Sequence, residues 1–281
     1  MLSLRLLLLL ANLFALGLAL PSISHIRVPE DVFEPVQIRS AFAGPTGMQV
    51  SWNTFSQLPT VPTVQFGFVP EFLPFVSSPE NGQSVTYPTS LTFNNHVLLT
   101  NLLPNTKYFW KPAFSNATSI FTFTTTRLKG DQTPFVTAVV VDLGLIGPDG
   151  LSTTVGKGAA NPLLPGEINT IQSLQQHFNE FEFIWHREFL ISSNKFCITF
   201  LTDFYIAGDI AYADSWLKEE VQGFLPNTSV ADGFMVYESI LNQFFDEMTP
   251  LTSQKAYMVG PGNHESNCES IKPIPFFFIR S

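Results

Sequence analysis

Between residues 27 and 127, apolar and polar positions never settle into a helical period. Short alternating or apolar runs follow one another with turn signals between them. Val36-Gln37-Ile38-Arg39 and Met48-Gln49-Val50-Ser51-Trp52 flank Gly44-Pro45-Thr46-Gly47, which reads as a turn. Val64 to Phe68, His96 to Leu99, Lys107 to Trp110 and Ser119 to Thr125 continue the series. Regularly spaced short strands imply an antiparallel all-β sandwich over residues 27–127.

After Arg127-Leu128-Lys129-Gly130-Asp131 the pattern changes. Phe135 to Val141 is an unbroken apolar run, the pattern of a strand buried on both faces, and it stops at Asp142-Leu143-Gly144. Ile168, Ile171, Leu174 and Phe178 have the spacing of one helix face. Phe181 to Trp185 reads as the next strand and Val236 to Phe245 as a helix. Tyr257-Met258-Val259-Gly260 is a third strand, ending at Pro261-Gly262-Asn263-His264-Glu265. Strand–helix alternation over residues 132–281 argues for an α/β layer whose reactive residues sit on loops at strand C-termini.

Met1 to Ala19 has one early cation, a short leucine-rich core and a small-residue end, the build of a secretory signal peptide cleaved near Ala19. The expected mature protein is secreted, extracellular or vacuolar, with no membrane contact after cleavage. Asn116-Ala117-Thr118 and Asn227-Thr228-Ser229 are acceptor triplets for N-glycans on that route. In 281 residues, 45% are hydrophobic and 13% charged, which excludes a chain kept disordered by charge. A net charge of -9 leaves no basic footprint for nucleic acid. Two cysteines, Cys197 and Cys268, exclude a disulfide-dense scaffold or a zinc ribbon, and they read as unpaired. With 14 Lys and Arg there is no evident concentration of positive charge for a phosphate, and a metal ion could supply it.

Leu102-Leu103-Pro104-Asn105-Thr106-Lys107-Tyr108, just before a strand, resembles the corresponding stretch of fibronectin type III domains, where the tyrosine packs at a sheet corner. The sandwich therefore reads as a structural module, with a ligand-binding module as the competing reading.

Three loops carry the candidate chemistry: Asp142-Leu143-Gly144, Gly208-Asp209-Ile210-Ala211-Tyr212 and Gly262-Asn263-His264-Glu265. Singly each is a common turn or cap. In this order, each at or near a strand end, they suggest a two-metal hydrolytic centre. Hard cations take oxygen ligands, borderline ones accept imidazole, and a carboxylate can bridge two ions about 3.5–4 Å apart. A phenolate favours a trivalent ion, and glycine beside a ligand lets the backbone turn tightly.

These blocks resemble the purple acid phosphatases of the calcineurin-like metallophosphoesterase superfamily, whose plant and fungal members carry a fibronectin-like domain in front. The resemblance covers about residues 27–186 and 208–269. It implies Fe(III) paired with a divalent metal (Zn, Fe or Mn). Asp142 would ligate the trivalent ion, Asp209 would bridge, Tyr212 would be the phenolate and Asn263 would bind the divalent ion. His264 would face the substrate phosphate as stabiliser or proton donor. The implied reaction is hydrolysis of phosphate monoesters at acid pH by a metal-activated hydroxide. The alternatives are a non-catalytic secreted binding protein and a related metallophosphodiesterase, against which Tyr212 argues.

The sequence departs from the family pattern in three places. Val141 stands where the first block has glycine. Residues 187–207 separate the strand ending at His186 from Gly208-Asp209, as an insertion or as sequence retained by error, so Asp209 is expected to lie apart from the strand that should aim it. Residues 270–281 do not resemble the family, and none of the five histidines follows His264, so the Val-x-x-His and Gly-His-x-His blocks are absent. The chain thus reads as a truncated member with an incomplete α/β metallophosphatase domain, expected to bind the metal pair poorly and to have little activity. Asp214 reads as a cap or a supporting acceptor, and Lys218-Glu219-Glu220 as a solvated helix face.

Overall fold

The structure is a computed structural model describing residues 28–114, 118–145, 166–186, 209–217, 229–260 and 264. The signal segment, both acceptor asparagines, both cysteines, Gly208, Asn263, Lys218-Glu219-Glu220 and the segments 187–207 and 270–281 lie outside the described residues.

Alternating side chains build the sandwich. Strands β1 (Val36–Phe42), β2 (Met48–Thr54), β5 (Gly82–Val85) and β6 (Phe93–Leu99) form antiparallel pairs in the order β5-β6-β2-β1. Facing them is a four-stranded antiparallel sheet of β4 (Phe75–Val76), β3 (Val64–Gly67), β7 (Lys107–Pro112) and β8 (Phe121–Thr124). Ile38, Met48, Val50, Trp52, Val97 and Leu99 from one sheet meet Val64, Tyr108, Trp110 and Phe123 from the other in one core. The rings of Trp52 and Trp110 stand 6.1 Å apart across it. Each such buried apolar side chain contributes about 1.5–3 kcal/mol. Tyr108 sits at the corner its motif implies: Leu103 N–H donates to its Oη at 2.9 Å, and its ring stacks on Phe123. Strands β4 and β5 were not foreseen, because β4 has two exposed residues and Gly82-Gln83-Ser84-Val85 carries almost no apolar signal.

The α/β part is built on three parallel strands, β9 (Thr137–Val140), β10 (Phe183–His186) and β11 (Ala256–Val259), with β10 in the middle. Between β9 and β10 lies helix α1 (Thr170–Gln176), opened by a reciprocal cap. Asn169 Oδ1 accepts from Gln172 N–H, and the Gln172 side chain accepts from Asn169 N–H. Ile171 and Leu174 are buried as expected, but Ile168 is exposed because it precedes the cap and never joins the helix. Helix α2 (Gly233–Thr252) packs Val236, Ile240, Phe244, Met248 and Leu251 into the core with Ile184 and Tyr257.

One expectation fails here. The Phe135–Val141 run is not buried on both faces: Val139 is 50% exposed and Trp185 beside it 39%, while Val140 and Ile184 on the other face are buried. β9 is the edge strand of its sheet among the described residues, covered on the helix side alone. The sandwich and the parallel strands also share a sheet. β1 pairs β11 in parallel through Ser40 and Ala256, so one sheet runs β5-β6-β2-β1-β11-β10-β9 from the sandwich into the parallel strands. Phe42 packs on Phe183 at 5.3 Å across that junction. Among the described residues no helix is long and apolar enough to cross a membrane.

Candidate metal centre

All the candidate side chains within the described residues gather at the C-terminal ends of the parallel strands. Asp142 follows β9 directly, after Val141, with φ +50°, and Gly144 completes the turn at φ +64°. Gly144 N–H donates to the Ile210 carbonyl at 3.1 Å, tying the first loop to the second. Tyr212 also has a left-handed backbone, φ +52°. The tight turns thus fall on two candidate ligands as well as on glycine. For an aspartate this is tolerated, but for a tyrosine it costs of order 1 kcal/mol or more and persists only where the surroundings enforce it.

The surroundings do. Tyr212 leads into a short 3-10 turn (Ala213–Ser215), and Trp216 behind it is buried against Gly233, the first residue of α2. A Cβ at Gly233 would collide with the indole ring, so glycine is required for this close approach.

Asp209 is 3% exposed. Its Oδ1 accepts the His264 backbone N–H at 3.0 Å and its Oδ2 accepts the Tyr212 hydroxyl at 3.3 Å. The Asp142 carboxylate lies close enough to act on the same hydroxyl. Burial raises the Tyr212 phenol above its ordinary range, and the Asp142 and Asp209 carboxylates push it further the same way. Without a cation the hydroxyl therefore stays protonated between them. The His264 ring lies against Tyr212, centroids 4.2 Å apart. Its Nδ1 is 2.9 and 3.0 Å from the two Asp214 oxygens, so Nδ1–H donates and Nε2 faces Asp209 Oδ2 at 3.9 Å. Asp214 is thus a supporting acceptor for the His264 ring.

Two further residues escaped the sequence reading. His186, last in β10, is fully buried, and burial pushes its imidazole down to about 4 against the pull of the Asp209 carbonyl and the Asp142 and Asp209 charges. The ring is neutral, so Nε2–H donates to the Asp209 carbonyl at 3.2 Å while Nδ1 accepts from the Tyr257 hydroxyl at 2.6 Å. The expectation that Asp209 lies apart from this strand is therefore wrong: 23 positions along the chain separate the two residues, yet they are in direct contact. Period-2 alternation with buried Ile184 was the available signal for His186; nothing in the sequence marks Tyr257 as its partner.

The donor set suits a hard cation. Asp142, Asp209 and the Tyr212 phenol converge, and no Lys or Arg pairs with either carboxylate among the described residues. Nor do three His, Cys, Asp or Glu side chains gather as ligands among those residues; the third oxygen donor here is phenolic.

Comparison with known proteins gives two matches. Residues 35–125 match the purple acid phosphatase N-terminal domain. Over 265 residues, 90% of this chain, it is 33% identical to Acid phosphatase A of Cryphonectria parasitica. The chain spans 45% of that relative's length.

Proposed function

The chain belongs to the purple acid phosphatase family, and from that premise we propose that its α/β part serves acid-phosphatase chemistry, the hydrolysis of phosphate monoesters at acid pH. In this reading residues 132–281 belong to a metallophosphoesterase domain. Asp142, Asp209, Tyr212 and Asn263 would hold Fe(III) and a divalent Zn, Fe or Mn ion. Such a pair supplies positive charge at the phosphoryl oxygens and makes water acidic enough to attack at low pH.

The remaining work falls to the chain's own groups. His186 and the His264 backbone clamp the Asp209 loop from two sides. Asp214 holds the His264 ring by Nδ1, which leaves Nε2 to stabilise the phosphate or to protonate the leaving alkoxide. The observation that carries the reading is the hydroxyl of Tyr212, donated to Asp209 with Asp142 acting on it and the His264 ring tilted against the phenol. Secretion and glycosylation at Asn116 and Asn227 complete the proposal.

The test is addition of Fe(III) to the purified chain, followed by assay with para-nitrophenyl phosphate and its diester at pH 5. A visible phenolate band that Tyr212→Phe abolishes, with turnover of the monoester, supports the reading. Uptake and turnover by this chain are expected to be weak; no uptake at all overturns the reading, and turnover of the diester alone redirects it to a phosphodiesterase.

A further inference from the structure

Helix α2 has a polar side as well as an apolar one. Glu238 and Asn242 are four residues apart, hence on one face, and both are buried against the sandwich. Glu238 is 4% exposed. Its Oε2 accepts from the Tyr87 hydroxyl at 2.8 Å, and Thr89 Oγ1 approaches its Oε1 at 3.4 Å. Both partners belong to the loop joining β5 to β6.

From that loop the hydrogen bonds run back to the helix. Thr92 Oγ1 accepts from Asn53 Nδ2 at 2.9 Å, and the same nitrogen donates to Gln37 Oε1 at 2.7 Å. Gln37 Nε2 donates to Asn242 Oδ1 at 2.8 Å, and Asn242 Nδ2 donates to the Glu238 carbonyl at 2.7 Å. The circuit begins and ends on Glu238. Gln37 reaches α2 because β1 slips register between Val36 and Arg39, with φ +54° at Gln37: a bulge redirects its side chain.

Within this circuit Glu238 is the acid, and the groups facing its carboxylate are neutral. Tyr87 is held protonated by burial and by Glu238 itself. The cation of β1, Arg39, is committed to the Gln37 carbonyl, Asn53 and Asn94, over the Phe245 ring. Asp246, two turns along α2, also acts on Gln37, and burial raises its carboxyl to about 6.

We propose that Glu238 is a proton-operated latch between helix α2 and the sandwich. The hydroxyls of Tyr87 and Thr89 donate to the carboxyl and favour its ionised form, but burial without a cation outweighs them, so the neutral acid is the form the docked Tyr87–Thr92 loop accommodates and ionisation loosens the circuit. Burial raises this carboxyl to about 7 from an ordinary 4.5. The folded form therefore takes up the proton first, so the stabilisation is complete below about pH 4.5 and is lost as pH rises through about 7. The same helix seats the candidate site, with Phe244 packed on His186 and Gly233 on Trp216. The latch follows from the circuit alone and does not depend on the proposed chemistry.

The experiment compares urea midpoints of the 281-residue chain and Glu238→Gln from pH 5 to pH 8. Glutamine imitates the neutral acid, and His96, His186 and Asp246 are present in both proteins, so their effects cancel in the difference. The expected result is coincident midpoints at pH 5 and a higher midpoint for the variant at pH 8. Parallel profiles, or a variant weaker at pH 8, overturn the latch. Should the variant not fold, carbon-13 titration of the wild-type glutamates decides. A buried glutamate titrating near 7 sustains the proposal, and all of them titrating near 4.5 ends it.

Discussion

His264 is tied to Asp209 by its backbone more closely than by its ring: its N–H donates to Oδ1 at 3.0 Å, while Nε2 stands 3.9 Å from Oδ2. Any residue but proline at position 264 keeps that N–H. Position and chemistry can therefore be separated by mutation.

His264→Gln is expected to lower phosphomonoester turnover by about 100-fold or more, the usual worth of a positioned proton donor. The thermal midpoint and metal uptake should stay near wild type. Steady-state kinetics with para-nitrophenyl phosphate, alongside metal analysis, check this; a parallel loss of metal would show that the ring helps hold it.

Asp214→Asn keeps the shape of the side chain but removes the charge facing His264 Nδ1 at 2.9 Å. Turnover should fall by about 10–100-fold, the usual cost of losing an orienting partner behind a metal site. The loss should appear in kcat more than in KM, since the proposed metal-holding residues are untouched and only the orientation of His264 is loosened.

Gly233→Ala places a methyl group where the Trp216 ring lies. Overpacking of this kind costs about 1–3 kcal/mol. A lower urea midpoint and altered tryptophan fluorescence are expected. Because the ring backs the turn that carries Tyr212, the iron band should weaken as well.

His96 shows the opposite pH sense to Glu238. Burial, then the Arg39 charge, push its imidazole down to about 4, and its Nδ1 shares a hydrogen bond with Ser51 Oγ at 2.8 Å. The unfolded chain takes up this proton near pH 6.5 and the folded chain not until about 4, so stability is lost as pH falls through that interval. In His96→Gln the urea midpoint should decline less between pH 6.5 and 4.5 than in the wild type.

Local pattern made most strands legible. Period 2 in Lys107–Trp110 marks residues that do alternate between core and surface, whereas in Met48–Trp52 the polar Ser51 is buried as well. It failed where the signal was not local. Phe135–Val141 has the composition of a doubly buried strand, but burial depends on what lies on each face, and Val139 has no cover among the described residues. Ile168 has the right spacing for α1, yet the Asn169 cap starts the helix after it. At the candidate site, the types and order of Asp142, Asp209, Tyr212 and His264 were readable in the sequence, whereas the support from His186 and Tyr257 was not. A contact spanning 71 positions leaves no periodic trace.

By itself the sequence determined the order of strands and helices and which loops end in acids, because periodicity and turn chemistry act over a few neighbouring residues. Only the tertiary structure decided that Ser40 and Ala256 join the two sheets, that Asp209 returns to the end of β10, and that Glu238 closes a polar circuit with the sandwich. These are contacts between distant residues. They arise when apolar faces collapse together and every buried polar group must then find a partner.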